Sequence, residues 1–214
     1  HLEMGDTSLH HEWANGWKTT QTAGRLVELA RHYAGVVNGL RKEQMRGGLC
    51  KPEEFPIKVD DDGVGGGVSD IIMEQGYNVV MVRSGQASMS SSKYPNKRCE
   101  MWFATAERAR QGRLALGQLD RETLQRIKSQ AMAPQWELDS AGRRVVERKD
   151  KTKEKIGRSP DDMDAVNLAY YENLLWEAPT VMPRERETEY DSRGSWTNWM
   201  NDRASRPRRR RLFG

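Results

Sequence analysis

The stretch Asp60-Asp61-Asp62-Gly63-Val64-Gly65-Gly66-Gly67-Val68-Ser69-Asp70, entered from Phe55-Pro56-Ile57-Lys58-Val59, decides the fold. The apolar run reads as a buried strand that delivers carboxylates into a glycine-rich turn, after which a helix begins with Val68, Ile71 and Ile72 on one face. Three aspartates followed by small residues leave room for a polyanion, or for a cation that bridges to one. Taken alone, the same residues also suit a solvated acidic turn. Asn78 to Val82 then supplies a second buried strand. Strand, turn, helix and strand at this spacing make a βαβ unit, whose strands run parallel with a right-handed connection.

On the N-terminal side, Thr20 to Ala34 predicts an amphipathic helix, because Ala23, Leu26, Val27, Ala30 and Tyr33 recur at three and four residue spacing. Gly35 to Pro52 reads as a partly helical connection. Thr7 to Trp13 alternates as a strand would. His10 and His11 point to opposite faces of such a strand, so they do not chelate one ion together. His1 to Gly5 give no clear signal.

On the C-terminal side, Gly85 to Asn96 is a serine-rich loop, Cys99 to Arg110 a helix, and Leu119 to Met132 another helix with Asp120 as its N-cap. Trp136 to Leu138 and Arg143 to Glu147 form a hairpin around a polar turn. A last helix opens with Ser159 as N-cap and Pro160 in the first helical position, and its apolar residues run to Leu175. One domain over residues 1–176 is expected, followed by a polar, arginine-rich, disordered tail over 177–214.

The 214 residues suffice for one domain with a real core. Net charge is +4 and 31% of residues are charged, but the charges are segregated. Lysine and arginine gather at 143–158 and 203–211, aspartate at 60–62 and 161–164. Such segregation suits acids that hold cations beside bases that meet phosphate, although a mixed solvated surface has the same composition. Two cysteines, Cys50 and Cys99, are too few for a disulfide framework and point to a reducing compartment. No apolar run approaches the roughly 20 residues that span a bilayer, so no membrane association is expected.

The second acidic cluster gives the first its meaning. Asp161 and Asp162 fall in a helical first turn, where acids are common for structural reasons. Asp164, three residues beyond Asp161, shares its face, and that face continues into the apolar stripe. Two acids facing a core are costly unless a cation neutralises them or a wet cleft hydrates them. A carboxylate at a strand end, two on a helix start and a basic segment suit magnesium-dependent phosphodiester hydrolysis, since hard cations prefer oxygen ligands. Lys149, Lys151, Lys153, Lys155 and Arg158 would contact DNA backbone phosphates, or else form a solvated linker.

Three segments, Val59-Asp60-Asp61-Asp62-Gly63-Val64-Gly65-Gly66-Gly67-Val68, Tyr94-Pro95-Asn96-Lys97-Arg98-Cys99-Glu100-Met101-Trp102 and Gly157-Arg158-Ser159-Pro160-Asp161-Asp162-Met163-Asp164-Ala165, together resemble the nuclease domain of the large terminase subunit of tailed bacteriophages. The resemblance spans residues 5–176. It implies a ribonuclease-H-like α/β fold, a mixed sheet flanked by helices, and an endonuclease that cuts concatemeric viral DNA during packaging. It implies Mg2+ or Mn2+, two ions, with Asp60, Asp161 and Asp164 as the catalytic metal site: Asp60 as the strand-end ligand, Asp161 as the principal helix ligand and Asp164 as a second ligand or outer-shell acid, with Asp61 and Asp62 less suited than these as direct ligands. Implied partners are double-stranded DNA, the terminase ATPase domain, the portal and the small terminase subunit, in the host cytoplasm. The family's first strand, with its own aspartate, is not found in these residues, and Asp6 is the early acid that could stand in. A catalytically incomplete DNA-binding or portal-docking module is therefore the alternative. The tail arginines, Arg206 and Arg208 to Arg211, would engage DNA or an acidic face of the portal.

Overall fold

A computed structural model describes residues 1–43, 48–62, 65–171 and 210–211. These fall into two compact units, one made of residues 1–12 with those from Ala87 onward, the other of Trp13–Gln86.

The Trp13–Gln86 unit is built on the expected βαβ element. Strand β3 (Ile57–Asp60), helix α2 (Gly65–Glu74) and strand β4 (Val79–Val82) follow one another, and β3 pairs parallel with β4 from Ile57 opposite Val79 to Asp60 opposite Val82. Helix α1 (Thr19–Glu43) packs against α2. Ala23, Val27 and Ala30 of α1 meet Val68 and Ile72 of α2, with Ile57 and Val59 of β3 and Tyr77 completing the cluster. Helix α1 runs well past the predicted end at Ala34, because Val37 prolongs its buried stripe through Gly35 and Gly39. Each of those glycines costs the helix roughly 1 kcal/mol relative to alanine, less than the continued packing returns. Strand β4 is less buried than its Val-Val-Met-Val sequence predicts. Its one strand neighbour among the described residues is β3, and Met81 is exposed.

In the other unit, β1 (Leu2–Met4) and β2 (Thr7–His10) form an antiparallel pair around a turn at Gly5, which has a positive φ of 63°. Helix α3 (Lys97–Arg110) is capped by the Asn96 side chain, which accepts from the Cys99 amide. Helix α4 (Arg121–Met132) is capped in the same way by Asp120, which accepts from Thr123. The hairpin of β5 (Gln135–Leu138) and β6 (Arg144–Val146) follows, and Arg210–Arg211 pair with β5 as strand β7. Helix α5 (Lys149–Ile156) occupies the lysine run, where the sequence suggests a linker or a phosphate-contacting segment. Helix α6 spans Asp161–Ala169, with Pro160 rather than Ser159 in the cap position. Trp102, Ile127, Val146, Met163 and Val166 form the core that joins α3, α4, β6 and α6.

Among the described residues the strands pair in three small sheets, β1-β2, β3-β4 and β6-β5-β7, and the expected mixed sheet is not seen as one hydrogen-bonded unit among them. Of the tail, Arg210 and Arg211 supply β7. Arg206, Arg208, Arg209 and the continuation of the last helix to Leu175 lie outside the described residues. Cys50 and Cys99 are both buried free thiols. No helix among the described residues is long and apolar enough to cross a membrane.

Candidate active site

The start of α6 owes its position to the end of α5. Gly157 adopts the left-handed conformation, φ 74°, that lets the chain turn out of α5 after Ile156. Ser159 and Pro160 then lead into Asp161, and the Asp164 amide donates to the Pro160 carbonyl at 2.9 Å. The turn brings the first residue of α5, Lys149, onto the first turn of α6. Its Nζ lies 2.9 Å from Asp161 Oδ1 and 2.9 Å from Asp164 Oδ2.

The cation demanded by the shared face of Asp161 and Asp164 is thus an ammonium group of the chain itself. Ser159 Oγ donates to Asp161 Oδ1 at 2.7 Å, and the Trp102 indole N–H donates to Asp164 Oδ1 at 3.2 Å. Burial works against the Asp161 carboxylate, but Lys149 and Ser159 outweigh it and hold its pKa below the usual aspartate value. Burial likewise opposes the Lys149 charge, and Asp164 and Asp161 together carry its pKa above the ordinary lysine value.

Asp162 faces inward. Its side chain is 5% exposed and accepts from His11 Nε2 at 2.7 Å, Gln130 Nε2 at 2.6 Å and Arg126 Nε at 3.4 Å. Gln130 also accepts from the Met163 amide at 2.9 Å, so one glutamine fixes both the side chain of Asp162 and the backbone that follows it. Burial lowers the His11 pKa against the pull of Asp162, and the neutral ring donates its Nε2–H. The Asp162 pKa is also lowered, because the bonds from His11 and Gln130 outweigh its burial. His11, just past the end of β2, is therefore a structural partner of α6, a role its sequence position does not reveal.

Within the Trp13–Gln86 unit, the three aspartates after Val59 have different surroundings. Asp60, at the end of β3, is exposed and accepts from the Asp62 amide and Ser84 Oγ, both at 3.4 Å. Asp61 is 5% exposed, and its Oδ2 accepts from Arg83 at 3.0 Å. Asp62 is exposed and accepts from the Gly85 amide at 3.2 Å. Asp61 and Asp62 brace the turn onto the segment after β4. Asp60 remains the strand-end acid with an exposed side chain.

Of the basic residues read as phosphate contacts, Lys151, Lys153 and Arg158 are exposed. Lys155 is bound to Glu147 at 2.6 and 2.8 Å, and Lys149 is committed to the two aspartates. Among the described residues, no three His, Cys, Asp or Glu side chains gather closely enough to hold a metal ion by themselves. Asp161 and Asp164 are nevertheless a donor set suited to a hard cation, two carboxylates already sharing one positive charge.

No protein-family model matches the chain, and no curated protein matches it. Among solved structures it is similar to the nuclease domain of the large terminase subunit gp2 of bacterial virus Sf6. For that domain's K428A mutant with manganese and beta-thujaplicinol, the TM-score is 0.50 and the identity 16%, over 65% of this chain and 71% of that one. The same mutant with calcium gives a TM-score of 0.49, and the unsubstituted domain 0.48, each at 16% identity. In fold, this chain therefore resembles the nuclease domain of a bacteriophage large terminase subunit.

Proposed function

We propose that the chain is a metal-dependent DNA endonuclease domain of a viral packaging motor, of ribonuclease-H-like architecture, acting on concatemeric DNA. The observation that carries this reading is the pairing of Asp161 and Asp164 across one ammonium, in a chain whose fold is similar to that of a terminase nuclease domain. Asp60, Asp161 and Asp164 are the residues that would hold Mg2+ or Mn2+, two ions in the full site. Bound there, the metal would supply Lewis-acid stabilisation of the phosphoryl oxygens and a water of lowered pKa.

The chain's own groups have distinct tasks. Trp102 fixes the rotamer of Asp164 through its indole N–H, and Ser159 does the same for Asp161. Lys149 occupies the place between the two carboxylates when no other cation is present, and a metal ion bound there would displace it. Lys151, Lys153 and Arg158 would take the flanking phosphates by charge alone, a grip that is independent of sequence and sensitive to salt. Double-stranded DNA is the substrate, and the ATPase domain, portal and small terminase subunit are the partners this role brings in the host cytoplasm.

Plasmid cleavage in Mn2+ tests the reading. Nicking by the wild-type chain should disappear on addition of EDTA and in both Asp60→Ala and Asp161→Ala. Cleavage that survives both substitutions removes the assignment. The Lys149 ion pairs also suit a second reading, a DNA-binding module whose acids are permanently neutralised. That module would bind DNA in a salt-dependent manner indifferent to EDTA and would never nick.

A further inference from the structure

Trp17 stands at an unusual place, immediately before the residue that caps α1. Gly16 has a positive φ of 73° and turns the chain into this position. The Lys18 amide donates to the side chain of Gln21 at 2.9 Å, which fixes the helix entry. An apolar residue placed here usually packs against the fourth helical residue, but that residue is Thr22, and the indole of Trp17 stays 46% exposed. It lines a cavity of about 390 Å3 whose walls include Thr19, Thr22, Lys58, Asp60 and Val68. Every one of these residues lies in the Trp13–Gln86 unit.

We propose that this cavity is a subsite for one unpaired DNA nucleotide, its base stacked on Trp17 and its phosphate held by Lys58. The chemistry of the walls selects this occupant. An exposed indole offers a π face that every base can use, and threonine hydroxyls offer adaptable hydrogen bonds to base edges or sugar. The lysine adds a point charge for phosphate. The volume lies at the small end of the usual range for ligand sites, enough for a nucleotide and far too small for a duplex. A paired base is enclosed in its stack, so a strand must open before a base reaches the indole. Asp60 lines the same cavity, which places the opened nucleotide beside the acid assigned to the metal. In this respect the inference rests on the nuclease reading: the strand held unpaired is the one to be cut.

The test is fluorescence anisotropy in EDTA, so that no cleavage occurs, with a labelled oligothymidine of about ten nucleotides and a duplex of similar length. Stacking contributes about 1–3 kcal/mol per base, so Trp17→Ala should weaken oligothymidine binding about tenfold, whereas Trp17→Phe should stay within about threefold of wild type. Duplex affinity should change less than twofold in either variant, and Lys58→Ala should lower the salt slope for oligothymidine by about 0.7. Because Trp17 is exposed, circular dichroism should report both Trp17 variants folded. Oligothymidine affinity unchanged in Trp17→Ala overturns the proposal, as does an equal loss for single strand and duplex. If Trp17→Ala shows the selective loss but the wild-type chain never nicks plasmid, the subsite stands and the nuclease reading falls. If Asp60 and Asp161 prove essential for nicking while Trp17→Ala binds normally, the reverse holds.

Discussion

Replacing Lys149 with alanine should convert the start of α6 from a self-neutralised pair into a site that depends on added cation. At 2.9 Å from each carboxylate the ammonium makes two strong contacts, yet its side chain is 44% exposed, and Asp161 and Asp164 are 57% and 27% exposed. Solvent screening reduces each contact to at most about 1 kcal/mol, so the substitution should cost about 1–2 kcal/mol, part of it repulsion between the two freed carboxylates. For a domain of this size that is a fall of roughly 2–8 °C in melting temperature. In EDTA, differential scanning fluorimetry should show that fall. Mn2+ should then restore the variant more than it stabilises the wild type, because a ligand that binds the folded state raises stability by mass action. Calorimetric titration should find Mn2+ binding about tenfold tighter in Lys149→Ala, since the ion no longer competes with an ammonium for the same oxygens. Equal or weaker Mn2+ affinity in the variant, or a loss of stability that Mn2+ leaves untouched, would refute the view that lysine and metal share one site.

Other outcomes follow from the same contacts. The pKa values of His11 and Asp162 are both lowered on folding, so the unfolded chain takes up more protons in acid. The His11 contribution is complete above its unfolded value near 6.5 and is lost as pH falls through the lower folded value, so urea midpoints should drop on that side and His11→Gln should flatten the drop. Charge reversal at Lys151, Lys153 and Arg158 should weaken duplex binding irrespective of sequence and lower its salt slope by about one unit per lost phosphate contact, as measured by anisotropy at several salt concentrations. Asn96→Ala removes the cap of α3 and should cost about 1 kcal/mol in chemical denaturation.

The βαβ unit was legible because its signals are local. Apolar residues in Ile57–Val59 and Val79–Val82 flank a glycine turn and a helix of 3.6-residue period, and the parallel pairing follows from the connection. Helix α3 was legible through its apolar spacing and helix α4 through its N-cap Asp120, whereas the Asn96 cap of α3 was not read from the sequence. Helix α5 was not. Its buried surface is Thr152, so no apolar period betrays it, and a run of alternating lysines reads equally as linker. The same weakness hid Lys149. Its role depends on a turn of φ 74° at Gly157 that folds α5 back on α6, and nothing in a basic segment distinguishes a lysine aimed at phosphate from one aimed at aspartate. Trp17 escaped for a different reason, since a tryptophan before a helix reads as packing, and its exposure becomes visible only when the fourth helical residue is seen to be too small to cover it.

The two acidic runs divide their labour by the same rule, and the rule can be tested. In each, one carboxylate is 5% exposed and braced by side chains of its own unit, Asp61 by Arg83 and Asp162 by His11, Gln130 and Arg126. Beside each brace stands an acid open to solvent, Asp60 in one run and Asp161 in the other. A buried carboxylate met by donors, three at Asp162 and the one arginine at Asp61 Oδ2, loses when it is neutralised, because its donors are left without a charge to meet, whereas an exposed one loses little. Asp162→Asn should therefore cost about 1–3 kcal/mol in urea unfolding, and Asp61→Asn should also destabilise, whereas Asp60→Asn and Asp161→Asn should stay within about 1 kcal/mol of wild type. Nicking should show the opposite order, abolished by Asp60→Asn and Asp161→Asn, and retained by Asp61→Asn under conditions where that variant is folded. If Asp61→Asn abolishes nicking without loss of stability, the inward acid of the first run belongs to the chemistry, and the separation of brace from ligand fails there.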